Sequence, residues 1–198
     1  STPLYSSAAS DVYKRQILSL KEAPDLVFLP VGNAGNICAY WSGFKESIEK
    51  GLATKSPRMK GFQSAGAAPI VTGFPISNPH TIASAIKIGN PASWDKAIKA
   101  RDDSAGVIDM VSDDEILDAY RLLASREGIF GEPASAASVA GLIKMVQLGM
   151  DLSDKRVVCV ITGSGLKDPD LAVSSVQSEV VEIKADINSL EEVILKPD

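Results

Sequence analysis

Apolar and polar positions along the chain form short blocks that predict strands and helices in alternation. Continuous apolar runs at Leu26–Val31 and Arg156–Ile161 are typical of buried strands, the second covered on both faces, and Arg58–Gln63 and Val107–Met110 predict two shorter strands. A last strand is predicted at Glu179–Ile183. Strands that alternate with helices indicate an α/β fold with a mainly parallel, twisted sheet flanked by helices.

Helices are predicted from the spacing of apolar residues and from the residues that begin and end helices. The predicted helices are Ile17–Leu20 as the end of one helix, Asn36–Lys50, a helix from Asn78 that Gly89 breaks, Ser93–Arg101, a helix that ends before Gly128, Ser135–Leu148 and Ser189–Leu195. Asn78 and Pro79 resemble an N-cap followed by proline in the first turn. Ser112–Glu115 is a capping box. The helix behind this box has an apolar face made of Ile116, Leu117, Tyr120, Leu123 and Ala124.

Composition narrows the function classes. With 198 residues, 45% of them hydrophobic, the chain can bury the core of one soluble domain. No apolar run reaches the ~18 residues of a membrane span and no secretory signal is visible, so we expect a cytoplasmic protein without a membrane partner. The net charge of −5 argues against a nucleic-acid partner. Cys38 and Cys159 are expected to be buried reduced thiols, and the single histidine, His80, argues against a metal site or a Ser-His-Asp triad.

The first sixteen residues are predicted not to belong to the natural protein. Ser6–Gln16 has the sequence SSAASDVYKRQ, which is the direct translation of a common sequencing-library transposon adapter. Ser1–Tyr5 fit the adapter arm that would lie just upstream. We therefore interpret residues 1–16 as an adapter-derived tail, and we expect native sequence to begin near Ile17, within a helix.

The strongest chemical signal is the sequence LPVGNAGN at Leu29–Asn36, which follows a predicted strand and precedes a predicted helix. Gly32 and Gly35 allow a tight turn and close approach of the backbone, and the helix directs free N–H groups and the positive end of its dipole at the turn. This pattern predicts a phosphate site. A plain strand-to-helix turn without a ligand is the alternative interpretation. The motif is not GxGxxG and no acidic residue marks a ribose site, which disfavours a dinucleotide.

Two further motifs carry candidate polar groups. Ile161–Pro169, ITGSGLKDP, follows an apolar strand, and ligands of open α/β sheets gather at such strand ends. Thr162 would place a hydroxyl at the tip of that strand. Gly131–Ser138, GEPASAAS, places a carboxylate and small hydroxyl residues before a helix. In isolation the first motif is equally compatible with a turn that binds nothing, and the second is more often a capping and packing feature than a site.

Together these motifs resemble one family. PVGNAGN, the sequence GNPASW at Gly89–Trp94, EPASAAS and TGSGLKDP occur in this order in bacterial threonine synthases. The resemblance runs from about Ile17 to the C-terminus and implies a pyridoxal 5′-phosphate enzyme with the tryptophan synthase beta-like fold, shared with serine/threonine dehydratases and cysteine synthase. Residues 17–198 would then be the C-terminal part of the catalytic domain.

The resemblance implies roles for individual residues. It assigns the cofactor phosphate to Gly32, Asn33, Ala34, Gly35 and Asn36. It assigns the pyridine nitrogen to Thr162, and a hydroxyl partner would leave that nitrogen less protonated than a carboxylate partner would. The family often has histidine where this chain has Ser164, so no side-chain role is carried over to that position.

The family's Schiff-base lysine is expected to lie upstream, so we expect no catalytic residue in this chain. The groups that bind the substrate phosphate would lie upstream too. Lys87 and Lys167 are near the motifs, but neither matches the family's lysine position, and we interpret them as lysines of the surface or of the cleft edge.

The intact enzyme would convert O-phospho-L-homoserine and water to L-threonine and phosphate, as a homodimer and without a metal. Protons would leave Cα and then Cβ, the γ-phosphate would be eliminated and water would add at Cβ, with the upstream lysine as base and acid. The chain alone is expected to be inactive. Two alternatives stay open: a pyridoxal-phosphate lyase of the serine/threonine dehydratase type, and a non-catalytic phosphate- or nucleotide-binding module.

Overall fold

The larger part of the protein is built on a parallel sheet. The computed structural model describes residues 16–17, 19–175 and 182–195, which belong to two compact units that divide after Asp168. The strands of the first unit are β1 (Leu26–Pro30), β2 (Arg58–Ser64), β3 (Val107–Val111) and β4 (Val157–Cys159). They form a sheet of order β3-β2-β1-β4 in which every pairing is parallel. The predicted α/β fold with a mainly parallel sheet is therefore confirmed.

Helices connect and cover these strands. The first unit contains α1 (Gly35–Glu49), α2 (Pro69–Thr72), α3 (Trp94–Asp103), α4 (Asp113–Glu127), α5 (Pro133–Gln147) and 3₁₀ turns at Ser84–Ile86 and Gly165–Lys167. The second unit contains α6 (Pro169–Ser175) and α7 (Ile187–Ile194), which confirms the last predicted helix. The strand predicted at Glu179–Ile183 falls largely outside the described residues. None of the described helices is long and apolar enough to cross a membrane.

Two apolar cores lie on the two faces of the sheet, because successive residues of a strand point to opposite sides. Val27 and Leu29 of β1 belong to the core that includes α1 and α3. Leu26 and Phe28 belong to the core that includes α4 and α5. The ring of Phe28 stacks on that of Phe62 from β2, with centroids 6.0 Å apart. All five residues of β1 are buried, so the loop that follows this strand starts from a fixed position.

Helix α5 crosses the sheet and contacts all four strands. Its first nine residues are mostly small, and all of them except Val139 are buried. Gly141 lies directly against the ring of Phe62, where a Cβ atom would overlap the aromatic carbons. Small residues thus let this helix lie close against the sheet. The start of α5 is therefore held over the strands whose ends carry the candidate motifs.

Strand β4 differs from its prediction. It is shorter than Arg156–Ile161 and its residues are half-buried, because it is the edge strand of the described sheet. The two cysteines are free thiols that are half-buried and not fully buried. Burial nevertheless raises the pKa of the Cys159 thiol to about 12, and burial also raises the pKa of the Cys38 thiol.

The prediction of a helix that begins at Asn78 is wrong. Only the 3₁₀ turn at Ser84–Ile86 forms in this stretch. Asp113, at the start of α4, accepts hydrogen bonds from the Thr81 hydroxyl at 2.5 Å and from the Ile82 N–H at 3.1 Å. This carboxylate takes an N–H group that a helix would need for its own ladder, so a tertiary contact overrides the local Asn-Pro signal.

The start of α4 confirms the capping box. The Ser112 hydroxyl accepts the Glu115 N–H at 3.1 Å and the Glu115 carboxylate accepts the Ser112 N–H at 2.6 Å. The predicted apolar face is right in part, since Ile116, Tyr120 and Leu123 are buried whereas Leu117 is half-buried and Ala124 is exposed. Helix α3 begins after Ser93 as predicted, but the Ser93 side chain caps no N–H group.

We expect Ser112→Ala to lower the free energy of unfolding by about 1 kcal/mol, because the substitution removes the hydroxyl that caps α4. Urea unfolding of the full chain followed by circular dichroism measures this. Ser125→Ala, at an exposed position of the same helix, is the matched control and should change the unfolding free energy by less than about 0.5 kcal/mol. Equal effects of the two substitutions would contradict the capping assignment.

Candidate functional site

Two loops leave the same edge of the sheet side by side. We name Gly32–Asn36, which follows β1, the glycine loop, and Ile161–Gly165, which follows β4, the threonine loop. Phe28 pairs with Cys159, and the Val160 N–H still donates to the Phe28 carbonyl at 2.8 Å just before the threonine loop begins. Because ligands of parallel α/β sheets bind beyond the carboxyl ends of the strands, both loops lie where a ligand is expected.

The glycine loop presents backbone donors. Among the described residues, the N–H groups of Asn33, Ala34, Gly35 and Asn36 donate no hydrogen bond. Ala34 has the left-handed conformation, with φ 64°, and turns the chain directly into α1. The first N–H groups of a helix and the positive end of its dipole attract anions. An added Cβ at Gly35 would have no neighbour within 4 Å, so the start of the helix is open. These features fit a phosphate group.

The asparagine side chains of the glycine loop are occupied by the protein itself. Asn36 donates through Nδ2 to the Pro30 carbonyl at 2.6 Å. Asn33 accepts the Ala92 N–H through Oδ1 at 2.7 Å, and its carbonyl accepts the Ser93 N–H at 3.3 Å. An anion at this loop would therefore meet backbone N–H groups, while the side chains hold the loop in shape.

Residues 86–93, which include most of the GNPASW motif, pack against the glycine loop. A Cβ atom at Gly32 would lie 2.9 Å from Cα of Ile86, so only glycine lets this segment pack so closely. The backbone of GNPASW therefore supports the glycine loop, which is a role that the resemblance did not predict. Nothing in the local pattern of Gly89–Trp94 indicates that its backbone would pair with Asn33.

The threonine loop is held by two buried polar side chains. Thr162 itself is exposed, whereas Ser135 is fully buried and Glu132 is 6% exposed. The Thr162 hydroxyl donates to Oε1 of Glu132 at 2.9 Å and lies 3.1 Å from Oγ of Ser135. Oγ of Ser135 also accepts the N–H groups of Thr162 at 2.9 Å and of Gly163 at 3.1 Å. We name these four residues the threonine clasp.

Backbone contacts reinforce the clasp. The Glu132 N–H donates to the Gly163 carbonyl at 2.8 Å, and the Gly165 N–H donates to the Phe130 carbonyl at 3.0 Å. A Cβ atom at Gly163 would overlap the carboxyl group of Glu132, and one at Gly165 would overlap the ring of Phe130. The threonine loop can lie this close to the start of α5 only because both positions are glycine.

The carboxylate of the GEPASAAS motif, Glu132, does not have the capping role that such a motif more often has. It occupies the N-cap position of α5, but its side chain caps no N–H group there. The carboxylate instead accepts the Thr162 hydroxyl and pairs with Nζ of Lys167 at 3.3 Å. The acid and serines of the EPASAAS motif were visible in the sequence, but the partner that gives them a role lies about thirty residues further on.

The side chains of Lys87, Lys167 and Ser164 do not form a second candidate site. Lys87 is exposed, and the side chain of Lys167 is 64% exposed while it pairs with Glu132. The Ser164 side chain accepts the Leu166 N–H at 3.3 Å and so stays within the turn. The structure thus brings the glycine loop and Thr162 to one edge of the sheet, which is the arrangement that a ligand with a phosphate at one end and a polar ring atom at the other would need.

We expect Gly163→Ala to lower the free energy of unfolding by about 1–3 kcal/mol, the usual cost of overpacking, because the methyl group would overlap the buried Glu132 carboxyl group. Thermal or urea unfolding of the full chain measures the change. Gly35→Ala is the matched control, since its methyl group would enter open space. A Gly163→Ala protein as stable as the control would contradict the close packing of the clasp.

The chain is similar to known proteins of one family and matches only part of their length. A family model described as pyridoxal-phosphate dependent enzyme matches residues 4–163. The threonine synthase of Bacillus sp. (strain ULM1) is 55% identical over 173 residues, which are 87% of this chain and 49% of that protein. The threonine synthase of Synechocystis sp. is 54% identical over 161 residues, which are 81% of this chain and 42% of that protein. The chain thus spans about half the length of the curated relatives it matches.

A solved structure is similar in fold. The L-serine ammonia-lyase of the fungus Rhizomucor miehei superposes with a TM-score of 0.67 at 21% identity, over 85% of this chain and 56% of that one. At this identity the likeness concerns the fold alone.

Proposed function

We propose that this chain, which belongs to the pyridoxal-phosphate-dependent enzyme family, is the cofactor-holding part of a threonine synthase. The observation that carries the proposal is the meeting of the glycine loop and the threonine loop at the carboxyl ends of the adjacent strands β1 and β4. The 54–55% identity to threonine synthases supports this particular activity within the family.

In this proposal each loop holds one end of pyridoxal phosphate. Gly32, Asn33, Ala34, Gly35 and Asn36 would hold the phosphate, with the free N–H groups of the last four as donors. Thr162 is exposed and can be reached by a ligand, so its hydroxyl would hold the ring nitrogen. A group that is held at two ends is oriented as well as bound, and orientation is a large part of what a protein contributes to a cofactor reaction.

The protein's own groups determine position, and the cofactor determines the reaction type. When bound, pyridoxal phosphate supplies an electron sink for the carbanion chemistry of amino acids. The helix dipole of α1 and its free N–H groups stabilise the phosphate charge. The two buried residues of the clasp, Glu132 and Ser135, hold the Thr162 hydroxyl at the sheet edge, so this hydroxyl would meet the ring in a fixed position.

The finer assignments follow from the same proposal. The substrates are O-phospho-L-homoserine and water, the products are L-threonine and phosphate, and the enzyme works in the cytoplasm as a homodimer. Residues 17–198 form part of its catalytic domain, and residues 1–16 derive from an adapter. A dehydratase activity is less well supported, because the similarity to an ammonia-lyase structure is 21% in sequence and concerns the fold.

We expect Gly35→Asp to weaken binding of pyridoxal phosphate to the full chain at least tenfold, because a carboxylate would face the phosphate in the open space beside Gly35, and about 1.4 kcal/mol corresponds to that factor. Helix stability should not fall, since an acidic residue is favourable in the first turn. Titration of cofactor absorbance measures the affinity.

Gly35→Asn is the matched neutral control and should bind nearly as the unchanged chain does. Pyridoxal, which lacks the phosphate, should bind more weakly to the unchanged chain and should be insensitive to Gly35→Asp. Equal affinities of the Asp and Asn proteins for pyridoxal phosphate would contradict the phosphate assignment.

The activity itself is tested in a chimera in which the matched 173 residues of this chain replace the corresponding segment of the Bacillus sp. threonine synthase. We expect the chimera to release phosphate and form threonine from O-phospho-L-homoserine. The parent Bacillus enzyme is the positive control. A chimera that deaminates serine or threonine and releases no phosphate would assign the chain to the dehydratase class instead.

A further inference from the structure

Lys60 of β2 is a charged residue that is buried in the sheet. It is only 8% exposed, and its partners in the sheet register, Phe28 and Val107, are apolar. Within the part of the chain that the structure describes, its ammonium group forms no hydrogen bond and no ion pair. An ammonium group that loses water without gaining an anionic partner is costly, so this position is unfavourable unless an anion binds beside it.

A second cation lies on the same face of the strand. Arg58 comes two residues before Lys60, and alternate residues of a strand point to the same side with their Cα atoms about 6.6 Å apart. The Arg58 side chain is exposed and likewise has no partner among the described residues. Burial lowers the pKa of the Lys60 ammonium group, and the charge of Arg58 lowers it as well. An anion between the two side chains would relieve both effects, because it favours the charged form of each.

The carboxylates of the neighbouring strands already have other partners. Asp109 of β3 pairs with Nζ of Lys144 at 3.1 Å. Asp25, which directly precedes β1, accepts Nζ of Lys55 at 2.6 Å and the Arg156 N–H at 2.8 Å. Neither carboxylate neutralises the two unpaired cations of β2.

We propose that Lys60 and Arg58 form a second anion site, which binds a small oxyanion such as inorganic phosphate at the amino end of β2. Ammonium and guanidinium groups form charge-assisted hydrogen bonds with phosphate oxygens. The glycine loop follows the carboxyl end of β1, which is parallel to β2, so the two anion sites lie at opposite edges of the sheet. The second site uses charged side chains, whereas the glycine loop offers backbone N–H groups.

Calorimetric titration of the full chain with inorganic phosphate tests this site. The titration starts from the Gly35→Asp protein, because the added carboxylate should weaken phosphate binding at the glycine loop. We expect this protein to bind phosphate at a saturable site, and Lys60→Met in the same background to weaken the binding at least about tenfold, since a hydrogen bond to a charged group is lost.

Lys60→Met should fold, because it keeps the length of the side chain and removes a buried charge. Arg58→Gln changes an exposed side chain and should weaken phosphate binding in the same direction, so it serves if Lys60→Met does not fold. Lys96→Met is the matched control, since Lys96 is an exposed lysine of α3, and it should change the affinity by less than about twofold. Chloride at the same ionic strength controls for general screening.

The ammonium group of Lys60 gives a readout that a merely structural lysine would not give. Saturating phosphate should raise its pKa, as followed by ¹³C NMR of the reductively methylated chain, because a bound anion favours the charged form. Absence of saturable phosphate binding in the Gly35→Asp protein, equal losses in Lys60→Met and Lys96→Met, or a Lys60 pKa that phosphate leaves unchanged would each overturn the second anion site. Pyridoxal phosphate binding at the glycine loop of the unchanged chain is a separate measurement, so the proposed function stands or falls independently.

Discussion

The arrangement of the site depends on the hydrogen bonds that the buried Ser135 hydroxyl accepts from the threonine loop. Polar groups that lose water on folding must find partners inside the protein, or the fold loses the free energy of their hydration. This hydroxyl accepts the N–H groups of Thr162 and Gly163 and so binds the threonine loop to the first turn of α5. Because α5 also contacts all four strands, the position of Thr162 is tied to the sheet and not to a loop alone.

The two halves of the site are built on different principles. The glycine loop offers backbone N–H groups, and its asparagine side chains are turned back into the protein to hold Pro30 and Ala92. The threonine loop offers a side chain, and its backbone is turned back to hold the start of α5. In both halves of the proposed site, one set of polar groups is left for the cofactor and another set holds the loop in position. Such a supporting arrangement is what keeps a contact within the narrow tolerance that a cofactor reaction requires.

The sequence predicted most of the sheet, because apolar runs and helix caps are local signals. The strand at Leu26 and the capping box at Ser112 are examples in which local preference and tertiary structure agree. The helix predicted from Asn78 failed because Asp113, more than thirty residues away, bonds to Thr81 and Ile82. The role of Glu132 could not be foreseen for the same reason, since its partner Thr162 lies beyond the whole of α5. Motifs pointed to the candidate residues of the site, whereas the contacts between these residues could be seen only in the fold.

The most direct test of the central claim, that one cofactor is held between the two loops, is a crystal structure of the full chain with pyridoxal phosphate. We expect the phosphate to accept hydrogen bonds from the N–H groups of the glycine loop while the ring nitrogen lies within hydrogen-bond distance of Oγ1 of Thr162. A cofactor bound at the glycine loop with its ring turned away from Thr162, or bound elsewhere on the protein, would contradict it.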